Sequence, residues 1–395
     1  MISEKMFELG SKRSVIREIF EYAKKRGAEI GNENIYDFSI GNPSVPPPNT
    51  VKAAILDLTE NEDATEIHGY TSAQGDFSVR KTIADYLNKT HGENFTPDSL
   101  YMTVGAAASL VISLKAVTLP GDEVIIFAPY FPEYKVFIEN TGGKAVSVPP
   151  SGLDFQIDLA AFKKAINEKT KAVIVNSPNN PSGVVYSEKT ILALTEILKE
   201  MSAKYGHAIY LIADEPYREL VYDNVKVPFL TKYYDNTLVC YSFSKSLSLP
   251  GERIGYIAVS PKMEAEKEVY FAICGAGRAL GFVCAPSLFQ RVAAKCVGQT
   301  SDISIYKKNR DLLYQGLTDL GFYCVKPDGA FYLFVQSLEE DTASFCEKAK
   351  KYELLLVPGA DFACPGFVRI AYCVNTEQIK NSMAAFAKLA AEYKS

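Results

Sequence analysis

The chain has 395 residues, 47% of them hydrophobic and 23% charged, and its formal net charge is −5. That is the make-up of a globular protein long enough for two domains, with no global attraction for nucleic acid. The sequence contains no block of five like charges, no apolar run approaching a membrane span and no Cys-x-x-Cys pair, so basic tails, membrane helices and thiolate metal sites are set aside.

The opening residues, "MISEKMFELGSKRSVIREIF", carry charges where a secretory signal would need an apolar core. Within them "SVIREIFEYAKKRG" has helical spacing: Val15, Ile16, Ile19, Phe20 and Ala23 fall on one stripe, and Gly27 is the expected stop. The proline-rich "DFSIGNPSVPPPNT" is expected to be extended, and "DFSVRKTIADYLNKTHG" returns to helical spacing.

A pattern then recurs. The short apolar runs "EVIIFAPYF", "KAVIVNSPNNPSG", "AIYLIADEPY" and "TLVCYSFSKS" are separated by helix-like stretches. Such alternation predicts crossover units around a buried, mostly parallel sheet. Ligands bind such sheets beyond the carboxyl ends of the strands. The residues that follow the runs, Phe131, Asn180, Asp214 with Tyr217, and Lys245, are therefore expected on one edge.

The C-terminal part has a different texture. "IYKKNRDLLYQGLTDLGFYCVKPDGAFYLFVQ" reads as helix, strand, turn and strand, with Pro327, Asp328 and Gly329 at the turn. "SFCEKAKKYELLLVPGADF" and "FVRIAYCV" add a helix and strands, and a last helix begins at Thr376. The expected fold class is α/β: a large domain with a mostly parallel central sheet flanked by helices, plus a smaller α+β domain. Residues 1–48 form an N-terminal arm and part of the small domain, 49–286 the large domain, and 287–395 the small C-terminal domain. The eight cysteines, at 240, 274, 284, 296, 324, 346, 364 and 373, read as buried thiols in a reducing cytoplasm.

Lys245 stands out. A lysine amine, ordinarily protonated near neutral pH, becomes a nucleophile when desolvated or set near other cations. Arg253 supplies such a field if the "LPGE" turn folds it back. The surrounding "SFSKSLSLPGERIG" resembles the lysine motif of class I pyridoxal-phosphate aminotransferases, the fold-type-I family that includes aspartate aminotransferase. The likeness runs from "SIGNP" near residue 40 to "FVRIAY" near 370.

The resemblance implies pyridoxal 5'-phosphate bound covalently to Lys245 as a Schiff base, with Lys245 later acting as the base at the substrate Cα. It implies that Asp214 pairs with the pyridine nitrogen and keeps it protonated, stabilising a carbanion. Tyr217 and Asn180 would hydrogen-bond the ring hydroxylate, and Phe131 would stack on one ring face with Pro216 near the other. The phosphate would meet the backbone of Gly105, Ala106 and Ala107 at a helix start, together with Ser242, Ser244 and Arg253. Tyr70 resembles the tyrosine that reaches the phosphate of a neighbouring subunit, which implies a homodimer with shared active sites. Arg369 would clamp the substrate carboxylate bidentately, and the Gly41 backbone would approach it.

The implied reaction is transfer of an α-amino group from an amino acid to a 2-oxo acid by a ping-pong route through pyridoxamine phosphate. A carbon–sulfur β-lyase of the same fold is the alternative. Two remote readings are weaker. Ser242 and Lys245 fit Ser-x-x-Lys of acyl transferases, but Ser-Asp-Asn and Lys-Thr-Gly are missing. A non-catalytic cofactor-binding regulator would need a DNA-binding domain, which charge does not support. "GAGRALG" at 275–281 has its third glycine one position late for a dinucleotide fingerprint. The aspartate-specific branch commonly has tryptophan where Phe131 stands and a second arginine where alignment puts Leu280, with Arg278 two residues earlier. Aspartate, aromatic and broad substrate preferences therefore all stay open.

Overall fold

The computed structural model describes residues 2–11 and 15–394. The N-terminal helix runs over Val15–Ile30, and Ser14, the first residue of the expected segment, lies outside the described residues. The helix does not stop at Gly27. That glycine is buried, and a Cβ there would collide with the Asn32 side chain, so its role is close packing rather than termination. A two-residue strand, β1 (Tyr36–Asp37), follows, and the proline-rich segment up to Pro48 is irregular, as expected.

The seven-stranded sheet consists of β2 (Leu100–Thr103), β3 (Glu123–Phe127), β4 (Lys144–Val148), β5 (Thr170–Asn176), β6 (Tyr210–Asp214), β7 (Thr237–Ser242) and β8 (Gly255–Val259). Its order is β2-β8-β7-β6-β5-β3-β4. All neighbours are parallel except β8, which runs antiparallel to β2 and β7. The central strands read as nearly unbroken apolar runs because both faces are covered, whereas the edge strand β4 exposes Lys144 and Ser147. Ile125, Phe127, Val173 and Val175 face one core, which includes Ile191, Leu194 and Leu198 of the Glu188–Tyr205 helix. Val124, Ile126, Ala172 and Ile174 alternate to the other face, against Leu110 and Leu114 of the Ala106–Val117 helix.

The C-terminal part holds β9 (Tyr332–Gln336), β10 (Leu354–Leu355), β11 (Val357–Pro358) and β12 (Phe367–Ala371). The order β11-β12-β9 is antiparallel throughout, and β10 pairs parallel with β1, which ties the N-terminal segment into this unit. Helices Ile303–Asp319, Thr342–Lys350 and Thr376–Ala391 pack around a second core. The last helix begins at Thr376, with Asn375 as its cap: the Asn375 side chain accepts from Glu377 N at 2.9 Å.

The strand expected before Pro327 does not form. Only an isolated bridge joins Cys324 to Val335. The backbone of the turn is used elsewhere: Asp328 N and Gly329 N donate to Gly183 O at 3.0 and 2.9 Å, docking the turn on the loop after β5 instead of pairing it as a hairpin. Packing also crosses the position expected for the domain boundary, because Val292, Ala293 and Cys296 belong to the core of the large sheet.

Among the described residues no helix is long and apolar enough to cross a membrane, and no cluster of His, Cys, Asp and Glu could hold a metal ion. All eight cysteines are unpaired, and six of them are buried. "GAGRALG" is the end of the Glu266–Leu280 helix plus its left-handed cap, Gly281. It is not a phosphate loop.

Candidate active site

Each parallel strand delivers its C-terminal residue to the same edge of the sheet. There Asn176 ends β5, Asp214 ends β6 and Ser242 ends β7, and the polypeptide turns at once into the Phe243–Ser246 helical turn that carries Lys245. A cavity of about 300 Å³ opens at this edge. The large sheet and its loops contribute Phe131, Asn180, Asp214, Tyr217, Ser242, Ser244, Lys245 and Arg253 to its lining, along with Pro216. Gly41 and Arg369 enter from the other unit, and Ala106 and Ala107 from a helix start. Gly105 stands just behind, as the residue before that helix. Tyr70, also singled out from sequence, is elsewhere: its side chain is 98% exposed and does not line the cavity. Arg278 is also exposed and away from it.

Lys245 is half-buried, its amine opening on the cavity, where Nζ donates to Gly41 O at 2.6 Å and lies 5.3 Å from the Phe331 ring centroid. Burial, and behind it the charges of Arg253 and Arg369, lowers its pKa from 10.5 to about 8. The amine therefore has an accessible neutral form near neutral pH, as nucleophilic attack requires.

Asp214 is buried. Its Oδ2 accepts from the Tyr134 hydroxyl and from Asn176 Nδ2 at 3.4 Å, and Asn176 Nδ2 also donates to its backbone carbonyl at 2.9 Å. Oδ1 is buried and has no partner. Burial pushes the carboxyl up to about 7, against the opposing effect of the Tyr134 hydrogen bond. A buried carboxylate oxygen without a donor is costly, and a cationic N–H presented from the cavity would satisfy it.

At the other end stands Arg369, on β12 and 2% exposed. Its Nη1 donates to Asn180 Oδ1 at 3.1 Å and its Nη2 to Ser39 O at 2.5 Å, while Nε has no partner. The guanidinium lies over the Tyr332 and Phe362 rings, 4.6 and 4.9 Å from their centroids. Its hydrogen-bond acceptors are both neutral and Asp361 acts on it only through space, so an incoming carboxylate finds no direct ion-pair partner to displace. Because Asn180 Oδ1 faces Arg369, its amide nitrogen is left to donate into the cavity. Tyr217 shares a 3.0 Å hydrogen bond with Tyr332, and burial with that neighbour keeps its phenol protonated.

Arg253 has φ of 50° after the turn at Pro250–Glu252, which folds it back as expected; Nη1 donates to Pro250 O at 2.9 Å. A Cβ on Gly105, whose φ is +95°, would stand 2.7 Å from Arg253 Nη2. Glycine is needed there for both conformation and room. The helix start beside it presents N–H groups that have no helical partner. Ser242 Oγ accepts from Ser244 N at 3.1 Å and donates to Ser244 Oγ at 2.7 Å, holding the turn before Lys245. Small residues, one guanidinium and a helix N-terminus together make a cradle for an anion.

The lining holds three cations and one acid: Lys245, Arg253 and Arg369 against Asp214. This set fits a ring with a cationic nitrogen, an anionic phosphate and a substrate carboxylate. Other contributors, besides the lining residues Leu110 and Pro250, escape sequence reasoning. Tyr134 and Asn176 secure Asp214, Tyr332 supports Arg369 and Tyr217, and Ile16 lines the mouth from the N-terminal helix.

Comparison with known proteins identifies the family. The family described as aminotransferase class I and II matches residues 33–386. The aspartate aminotransferase of Thermotoga maritima is 30% identical over 91% of this chain and 93% of its own length. The aromatic-amino-acid aminotransferase 2 of Thermococcus litoralis is 28% identical over 96% of both. Among solved structures, an amino transferase from Eubacterium rectale superposes with a TM-score of 0.98 at 58% identity, covering 100% of each chain. The Thermus thermophilus aspartate aminotransferase with maleate gives 0.84 at 28% identity, covering 96% of this chain and 97% of that one. Membership implies pyridoxal phosphate as cofactor and amino acids with their 2-oxo acids as substrates. A match that spans both units and takes in Gly41, Lys245 and Arg369 alike leaves one conclusion: the chain belongs to the class I and II aminotransferases, enzymes that transfer amino groups by a ping-pong mechanism.

Proposed function

We propose that this aminotransferase holds pyridoxal 5'-phosphate covalently through Lys245, with its ring nitrogen on Asp214 and its phosphate at Gly105–Ala107, Ser242, Ser244 and Arg253. The observation that carries the reading is the pairing of a depressed lysine amine with a buried carboxylate oxygen that lacks a donor, on one cavity. When bound, the cofactor supplies an aldehyde that takes up the amino group and a cationic ring that draws electrons from Cα.

The chain's residues do the rest. Arg369 binds the substrate α-carboxylate and so fixes which bond at Cα faces Lys245. With the cofactor bound, the Lys245 amine would be the base that removes the proton from the substrate Cα and would deliver it on the cofactor side of the transferred nitrogen. Asp214 keeps the ring nitrogen protonated throughout. Asn180 and Tyr217 would donate to the ring oxygen and Phe131 and Pro216 would confine the ring, while the Gly41 carbonyl is the acceptor that orients the free Lys245 amine. Ile16 and Leu110 contribute apolar lining to the same cavity.

Several further features belong to the same proposal. The unit boundary lies after Cys296, with residues 33–48 joined to the C-terminal unit through β1 and β10. The enzyme is a homodimer, in which the bare Tyr70 ring reaches the phosphate of the second copy. Eight free thiols fit a reducing cytoplasm.

The visible spectrum of the purified holoenzyme, followed as single amino acids are added, tests the reading. Loss of the band with release of a 2-oxo acid supports it and ranks substrates. Pyruvate and ammonia formed from a β-substituted amino acid, with no 2-oxo acceptor present, would establish the lyase in its place.

A further inference from the structure

Behind the cavity, on the opposite side of the 214–219 turn, lies a buried polar network that touches neither substrate nor cofactor space. Asp214 faces the cavity, and the next residue, Glu215, is absent from its lining. Glu215 Oε2 accepts from Arg218 Nη1 at 2.7 Å. The same guanidinium donates through Nη2 to the Tyr256 hydroxyl at 3.0 Å and through Nε to Glu219 Oε1 at 3.3 Å. Glu219 Oε2 accepts from the Tyr241 hydroxyl at 2.9 Å, so the 2.9 Å contact between Tyr241 and Ser246 is donated by Ser246 Oγ. Ser246 immediately follows Lys245.

The result is an unbroken chain of hydrogen bonds from the neighbour of Lys245 to the neighbour of Asp214, in which Glu219 accepts from Tyr241 on one side and from Arg218 on the other. Rings stiffen it: Arg218 Cζ lies 4.5 Å from the Tyr241 ring centroid, and Tyr241 stacks on Tyr256 at 4.9 Å. Burying one guanidinium between two carboxylates is expensive, and apolar side chains of equal volume generally pack as well or better. What the ionic arrangement adds is fixed geometry, because a guanidinium fork with all three nitrogens engaged cannot slide.

We propose that Arg218 and Tyr241 are positioning residues for amino-group transfer, which act through Glu215 and Ser246 to set the spacing between the Asp214 carboxyl and the Lys245 amine. The proposal rests on the roles given to Lys245 and Asp214 above. A shift of about 1 Å between these groups costs on the order of 10- to 100-fold in rate while leaving the Arg369 end of the cavity untouched.

The test compares holoenzymes. Tyr241→Phe removes one oxygen and keeps the ring stack; Arg218→Lys keeps the charge and loses the fork. Tyr234→Phe is the control. Its hydroxyl is equally internal, donating to Ile209 O at 2.8 Å, but it stands outside the network. For Tyr241→Phe and Arg218→Lys, kcat is expected to fall about 3- to 30-fold with KM for the amino acid within about twofold. The pH midpoint of the bound cofactor's visible band should move by about half a unit or more, since the lysine sits differently among Arg253, Arg369 and Asp214. Tyr234→Phe should move neither. A Tyr241→Phe holoenzyme with wild-type kcat and midpoint overturns the proposal, as does a Tyr234→Phe enzyme that shifts equally, since loosened packing would then explain both. If Lys245→Ala retains the wild-type visible band, the reading of Lys245 itself fails, however Tyr241→Phe behaves.

Discussion

The Lys245 amine donates a 2.6 Å hydrogen bond to the carbonyl of Gly41, a residue 204 positions earlier in the chain. One contact thus joins the proline-rich N-terminal segment to the turn after β7, and it occupies the amine with a neutral acceptor rather than a carboxylate. A buried lysine with no counter-ion is penalised as a cation, which is why its pKa falls from 10.5 to about 8.

The sign of the resulting pH dependence follows. Between pH 8 and 10.5 the unfolded chain keeps a proton on this lysine that the folded chain has released, so folding strengthens as pH rises through that window. Below pH 8 both states are protonated and the full penalty applies. In urea unfolding of the cofactor-free proteins, wild type should gain on Lys245→Met by up to about 3 kcal/mol between pH 8 and 10.5. A constant difference across that range would show that the amine is not depressed.

Asp214 gives the opposite trade. With no cation beside it, its carboxyl titrates at about 7, against 3.8 ordinarily, so the cofactor-free protein loses stability as pH rises from 4 to 7. Asp214→Asn removes that burden, and the amide still accepts from Tyr134. Thermal unfolding of the cofactor-free variant at pH 8 should therefore match or exceed wild type. Its kcat should fall by about 10²-fold or more, because a neutral amide cannot hold a proton on a ring nitrogen. A variant that is both unstable and active would place Asp214 in the scaffold.

Arg369 is engaged by Asn180 and Ser39 through its Nη atoms, and its Nε is unsatisfied. Arg369→Lys keeps a positive charge and loses the planar fork. KM for the amino acid should rise about 10²-fold, with the cofactor absorbance unchanged. A steady-state titration with a good substrate measures the first, and the spectrum of the resting enzyme the second. Loss of the absorbance would instead show that Arg369 supports the cofactor pocket.

How much of this was legible depends on how each residue reaches the cavity. Parallel strands buried on both faces leave apolar runs whose ends can be located, so Asp214, Asn180 and Lys245 could be placed on one edge from the runs alone. Asn176 could not, because as the last residue of its run it reads as strand, and its amide acts only by turning toward Asp214. Tyr134 lies one short step beyond Phe131, yet its contact with Asp214 depends on how the Glu133–Asn140 helix is set against the sheet. Tyr332 and Ile16 arrive from distant segments by tertiary packing, which no local pattern records. The strand missing before Pro327 has the same origin: the turn that should have closed its hairpin, at Asp328 and Gly329, found partners on Gly183 instead.

Gly105 links backbone conformation to anion binding. Its φ of +95° costs a residue with a side chain about 1 kcal/mol or more, and the added methyl would also press on Arg253 Nη2, 2.7 Å from the Cβ position. Arg253 is exposed and, among the described residues, hydrogen-bonds Pro250 O, so the guanidinium, not the sheet, would yield. Gly105→Ala should therefore remain folded, with Tm lowered by a few degrees at most, and lose affinity for pyridoxal phosphate by about tenfold. If the cradle holds the cofactor phosphate, inorganic phosphate should slow cofactor uptake by the wild-type apoenzyme more than by Gly105→Ala. Equal affinity in the two proteins would move the phosphate site away from this helix start, because no anion held there could be indifferent to the displacement of its one flanking guanidinium.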